Sequence, residues 1–94
     1  MKLNLNEIKE AKLMLTKNDS FKVMYFEFEP GKGLPNHHHD GDAAIQVLEG
    51  KVSFNFVDGE SCLLEKNDFL PFDARHTHNV IAEEKSKVLV FIGL

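Results

Sequence analysis

Short runs of apolar and branched residues, each closed by a turn dipeptide or a polar cluster, leave this 94-residue chain little room for anything but β-structure. Leu13 to Thr16 stops at Lys17-Asn18-Asp19-Ser20. Phe21 to Glu29, rich in aromatic and branched side chains, stops at Pro30-Gly31. Ala43 to Leu48 ends at Glu49-Gly50. Lys51 to Val57 alternates polar and apolar before Asp58-Gly59, a dipeptide suited to a two-residue hairpin, and Ser61 to Leu64 reads as the returning strand. Beyond Lys66-Asn67-Asp68, the runs Phe69 to Phe72, His76 to Ala82 and Lys87 to Ile92 complete the series, the last two flanking Glu83-Glu84-Lys85-Ser86. Strands at this spacing predict a sandwich or a barrel. Only Leu5 to Leu15 carries a helical signal, with Ile8, Ala11 and Leu15 at helical spacing but no clear C-terminal stop.

No repeat or linker-like stretch divides the chain, so residues 1–94 are expected to form one domain, small enough to gain from dimerisation. Eight phenylalanines within a 43% hydrophobic composition supply a core, and Phe54, Phe56, Phe69, Phe72 and Phe91 recur at strand spacing as its expected members. A net charge of -4 with scattered Lys and Arg residues argues against nucleic acid and against an anionic membrane surface as partners. No run approaches the ~18 apolar residues of a membrane span, and Met1 to Glu7 lacks the apolar core of a signal peptide, so a cytoplasmic location is expected. Cys62 is the one cysteine and is expected to be a small buried hydrophobe. Glu7, Glu10, Glu83 and Glu84 read as solvated surface.

Four of the five histidines fall into two H-x-H pairs, His37 with His39 and His76 with His78. In an extended strand, residues two apart share a face, so each pair can aim two imidazoles at one point. Neutral imidazole suits borderline divalent ions such as iron, zinc, nickel, copper or manganese. Burying four histidines together without a metal or hydrogen-bond partners would be costly. His38 points away from its neighbours by the same parity and is expected at the surface.

Gly31, His37 and His39, followed by Val47-Leu48-Glu49-Gly50, resemble the first motif of the cupins, G-x5-H-x-H-x3,4-E-x6-G. Asn67-Asp68-Phe69-Leu70-Pro71-Phe72-Asp73-Ala74-Arg75-His76 is similar to their second motif, G-x5-P-x-G-x2-H-x3-N. The resemblance runs from about Phe21 to Ile92 and implies a single-domain β-barrel of jelly-roll type with a metal inside one open end. It places His37, His39 and His76 as metal ligands and leaves His78 as a fourth ligand or an orienting or acid-base group. The chain departs from the pattern at the usual Glu ligand, where Ala43 (or Ala44, with one more residue allowed) stands. Gln46 falls on the opposite face by parity and is no replacement. Asn67 and Asp73 stand where glycines are usual, and both residue types tolerate the left-handed backbone. Val80 takes the place of the motif's Asn.

A three-histidine site adds no negative charge, so a bound divalent ion keeps its charge and its open positions. The resemblance implies metal-dependent dioxygenase-type chemistry on a small chelating molecule, in a homodimeric protein. The alternative is a non-enzymatic barrel that binds or senses a small ligand, Ala43 marking a degenerate metal site.

Overall fold

The computed structural model describes residues 2–94 and shows an all-β protein built from two antiparallel sheets. Its strands are β1 (Lys12–Lys17), β2 (Phe21–Phe28), β3 (Gly33–His37), β4 (Asp42–Glu49), β5 (Lys51–Phe56), β6 (Ser61–Glu65), β7 (Phe69–Asp73), β8 (His78–Ala82) and β9 (Ser86–Gly93). One sheet has the order β1-β2-β9-β4-β7 and the other β3-β8-β5-β6. A hairpin through Asp58-Gly59 joins β5 to β6 as expected, but by residues 57–60 rather than a two-residue loop, with the Phe56 amide donating to the Glu60 carbonyl at 2.7 Å. The N-terminal segment forms no α-helix: Leu5–Glu7 is a single 3-10 turn capped by the Asn4 side chain, and Lys12 onward is strand, paired along β2. Among the described residues, no helix is long and apolar enough to cross a membrane.

Period-two burial builds the core between the sheets. Phe26 and Phe28 of β2, Ile45 and Val47 of β4, and Val88 and Val90 of β9 meet Val52 and Phe54 of β5, Leu64 of β6, and Val80 and Ala82 of β8. Phe54 and Phe72 behave as the sequence predicts, tilted against each other at 4.6 Å between ring centroids. Phe69 and Phe91 do not. They sit on the outer face of the five-stranded sheet, 5.9 Å apart, and Phe69 is 55% exposed. β7 is an edge strand, and Phe69 pairs with Gln46, whose parity is opposite to that of the inward Ile45 and Val47. Cys62 is likewise exposed rather than buried. It pairs with Phe54 on the core side, but β6 is the edge of its sheet and nothing flanks it there.

The turn between β4 and β5 depends on Gly50, which has φ +87°. Its α-carbon lies against Ser86, whose fully buried hydroxyl accepts from the Lys51 amide at 3.0 Å and lies 2.7 Å from the Glu84 carbonyl. Asn67, with φ 74°, occupies the left-handed region as expected from its motif position, while Asp73 stays in β7.

Candidate metal centre

Three of the four paired histidines line one small cavity between the sheets, and they are not the three that the resemblance selects. A cavity of about 50 Å³ is bounded by His37, His39, His78, Ala43, Phe72 and Ile92, among others. A smaller space of about 10 Å³ lies among Leu34, His37, Phe54, Phe72, His78 and Val80. His76 contributes to neither. Its side chain is 62% exposed, 4.0 Å from the Asp73 carboxylate and edge-on to Phe56 at 6.4 Å. The resemblance places His76 beside His37 and His39, whereas the structure brings its side chain to neither of these spaces. Strand parity does not reach His76, because β8 begins at His78 and His76 lies in the preceding bend. Counting the second motif from Pro71 (P-x-G-x2-H) ends on His76, whereas counting from Asn67 (G-x5-P-x-G-x2-H) ends on His78, so spacing alone leaves both open.

His78 is 2% exposed and enclosed by rings. It stacks on Phe54 at 5.2 Å, meets the edge of Phe72 at 4.8 Å and lies 4.2 Å from the His37 ring. Its Nδ1 donates to the His76 carbonyl at 2.8 Å. His37, at the exposed rim, donates from Nδ1 to the Pro35 carbonyl at 2.7 Å. A carbonyl only accepts, so both rings carry their proton on Nδ1 and present Nε2 as the lone-pair nitrogen. Metal-binding histidines are commonly fixed in this way, by a backbone carbonyl on the other ring nitrogen. His39, half-buried just beyond β3, instead donates from Nε2 to the Gly93 carbonyl at 2.6 Å. Two rings thus expose Nε2 while the third is engaged by β9. Accordingly, no three His, Cys, Asp or Glu side chains are gathered into a metal cage among the described residues.

The donor chemistry fits a borderline divalent ion even so. Three imidazoles line one cavity, and His39 needs only to exchange the Gly93 carbonyl for the ion. Ala43 lines the same cavity, whereas Ala44, also enclosed, pairs with Phe91 on the opposite face of β4, so Ala43 is the position that lacks the usual carboxylate. Gln46 is on the outer face, as parity predicts. Sequence reasoning missed the backbone acceptors Pro35, His76 and Gly93, for which side-chain identity carries no signal.

Burial pushes the His78 imidazole below the usual histidine value of 6.5; His37 and His38 push the same way, and the bond to the His76 carbonyl opposes them. The unfolded chain therefore takes up this proton at higher pH than the folded one. Stability of the metal-free protein is expected to fall as the pH drops below 6.5 and to level off below the folded-state value. Melting temperatures of the metal-free protein across this range check it. The acid-side slope should shrink in His78→Gln, and equal slopes in the two proteins would refute the assignment.

Two sheets closed on an apolar core, with imidazoles around a cavity between them, define a jelly-roll barrel protein. A family model described as "Cupin domain" matches residues 24–93, and the chain belongs to the cupin family. A cupin protein of the RmlC-like type from Desulfovibrio desulfuricans is similar over 99% of this chain and 95% of its own, with 28% identity and a TM-score of 0.88. KdgF from Halomonas sp. shares the fold at 19% identity, with a TM-score of 0.79, over 87% of this chain and 77% of that one. Among curated proteins, gentisate 1,2-dioxygenase from Ralstonia sp. is 33% identical over 51 residues, which is 52% of this chain. The match spans 14% of the length of that enzyme.

Proposed function

We propose that this cupin holds a divalent first-row ion (Fe, Ni, Zn, Cu or Mn) with His37, His39 and His78 and acts on a small chelating molecule as an oxygenase-type enzyme. The observation that carries the reading is the His37–His78 pair, 4.2 Å apart, with both Nδ1 atoms donating to backbone carbonyls. When bound, the ion would supply Lewis acidity and open positions for substrate and oxygen. The chain's own residues prepare the site. Burial keeps His78 neutral, and Phe72 and Ile92 restrict water. Ala43 leaves space without adding charge, so a substrate that brings its own anionic oxygen or sulfur replaces the missing carboxylate. The partial similarity to gentisate 1,2-dioxygenase supports the oxygenase class. His76, exposed outside the cavity, takes no part. A second copy of the chain is the partner proposed for the outer face bearing Phe21, Phe69 and Phe91, which solution mass measurement tests.

Oxygen uptake by the iron(II)-loaded protein, offered gentisate, a 1,3-diketone and a small thiol in turn, tests the proposal. Consumption with one of them, lost in His37→Ala, is the expected result. Failure to bind iron, or to consume oxygen with any of the three, overturns the enzyme reading.

One observation favours a second reading, a metal-independent binder of small ligands: Gly93 engages His39, and Ala43 offers no carboxylate. A ligand that raises the melting temperature of chelator-treated and metal-loaded protein equally would select it.

A further inference from the structure

We propose that Asn36 and Asn79 are positioning residues for His37: the hydrogen bond between their side chains holds closed a one-residue bulge that turns His37 onto the cavity face. The importance of His37 rests on the metal-centre reading above, but the clamp itself is a property of the polypeptide.

Strand parity shows why a bulge is needed. Leu34 packs against the core, so three residues later in a regular strand His37 would face solvent. The pairing is irregular at this point. Leu34 lies opposite Val80 and His37 opposite His78, so β3 advances three residues (37 − 34) while β8 advances two (80 − 78). Pro35 and Asn36 together oppose Asn79, and the extra residue returns His37 to the face of His78. Pro35 suits such a place on an edge strand, since it has no amide hydrogen to leave unpaired. Its carbonyl is the acceptor that sets the His37 ring.

What fixes the bulge lies on the outer face of the sheet. Asn79 Nδ2 donates to Asn36 Oδ1 at 2.8 Å. The Asn79 Oδ1 accepts from Asn55 Nδ2 at 2.9 Å, and Asn55 Oδ1 accepts from the Ser53 hydroxyl at 2.9 Å. This directional ladder crosses from β5 over β8 to β3. With its oxygen committed to Asn55, the Asn79 amide aims its nitrogen at Asn36, and successive bonds of this kind polarise one another. The ladder therefore backs the cavity from the opposite side of the sheet, without touching the site.

A matched pair of substitutions tests the clamp. Asn79→Asp keeps the acceptor for Asn55 but removes the Nδ2 donor that holds Asn36 in its present orientation, whereas Asn36→Asp keeps the acceptor that Asn79 needs. Each adds one negative charge close to His37, so a purely electrostatic effect on a cation would be similar in both. Cobalt(II) binding is expected to weaken about ten-fold in Asn79→Asp, the scale of groups that orient ligands, and to stay near the native value in Asn36→Asp. Nitrogen-15 spectra of the metal-free protein should show the His37 Nδ1–H tautomer retained in Asn36→Asp and averaged in Asn79→Asp. Asn36→Ala, at an exposed position, should behave like Asn79→Asp and guards against a folding defect in the latter. Should the native chain bind no cobalt while the His37 signals still divide the variants, the clamp stands and the metal reading fails. Unchanged His37 signals in both Asn79→Asp and Asn36→Ala overturn the clamp whatever the metal does.

Discussion

Replacing His78 by alanine is expected to abolish stoichiometric metal loading, while the same change at His76 leaves it intact. The two histidines are separated by one residue, so sequence spacing alone gives no reason for the difference. The structure does: His78 is enclosed by Phe54, Phe72 and His37, whereas His76 projects into solvent beside Asp73. Groups that merely orient a ligand cost about 10–100-fold in affinity when removed, so loss of a ligand itself should cost at least about 100-fold. Elemental analysis of protein purified without a metal-affinity tag decides the matter. Metal retained in His78→Ala and lost in His76→Ala would restore the motif assignment and refute the cavity as the site.

Gly50→Ala should be the most damaging single-methyl change among the turns. A non-glycine residue in the left-handed region costs roughly 1–2 kcal/mol. Here the added Cβ would also meet the Ser86 hydroxyl, which is held by hydrogen bonds to Lys51 and Glu84, and the Lys85 carbonyl. Against a total stability of about 5–15 kcal/mol, a combined loss of about 3 kcal/mol lowers the melting temperature by more than about 10 °C. Gly31→Ala is the internal comparison. Gly31 has φ +81°, but a Cβ there meets nothing within 4 Å, so only the backbone cost of about 1–2 kcal/mol applies. Equal melting temperatures for the two variants would show that the Ser86 contact yields freely.

Much of the barrel was legible because its strands obey period two and its turns use the residues that turns require. Phe21 to Glu29 and Lys51 to Val57 match β2 and β5 to within a residue, and Asn67 adopts the backbone its type permits. The site was less legible, for two local reasons. Parity arguments hold only within an unbroken strand, and the chain breaks strand where it matters: His76 precedes β8, and β3 carries an extra residue before His37. Residue type reports burial only when the neighbours are known. Cys62 and Phe69 are exposed because β6 and β7 are edges, a fact of sheet order rather than of composition. Parity sets Ala43 and Ala44 on opposite faces, but only the structure shows that Ala43 is the one turned toward the histidines.

β9 lies between β2 and β4 at the centre of the five-stranded sheet, although it is the last strand in chain order. During synthesis, β2 and β4 present unsatisfied edges to one another across a gap until Ser86–Gly93 leaves the ribosome. Closing that gap brings Phe21 and Gly93 into register, a loop spanning most of the chain, and so places the largest entropic cost late. A sheet closed by so distant a pairing is expected to form slowly for its size, with the facing edges of β2 and β4 open until it does.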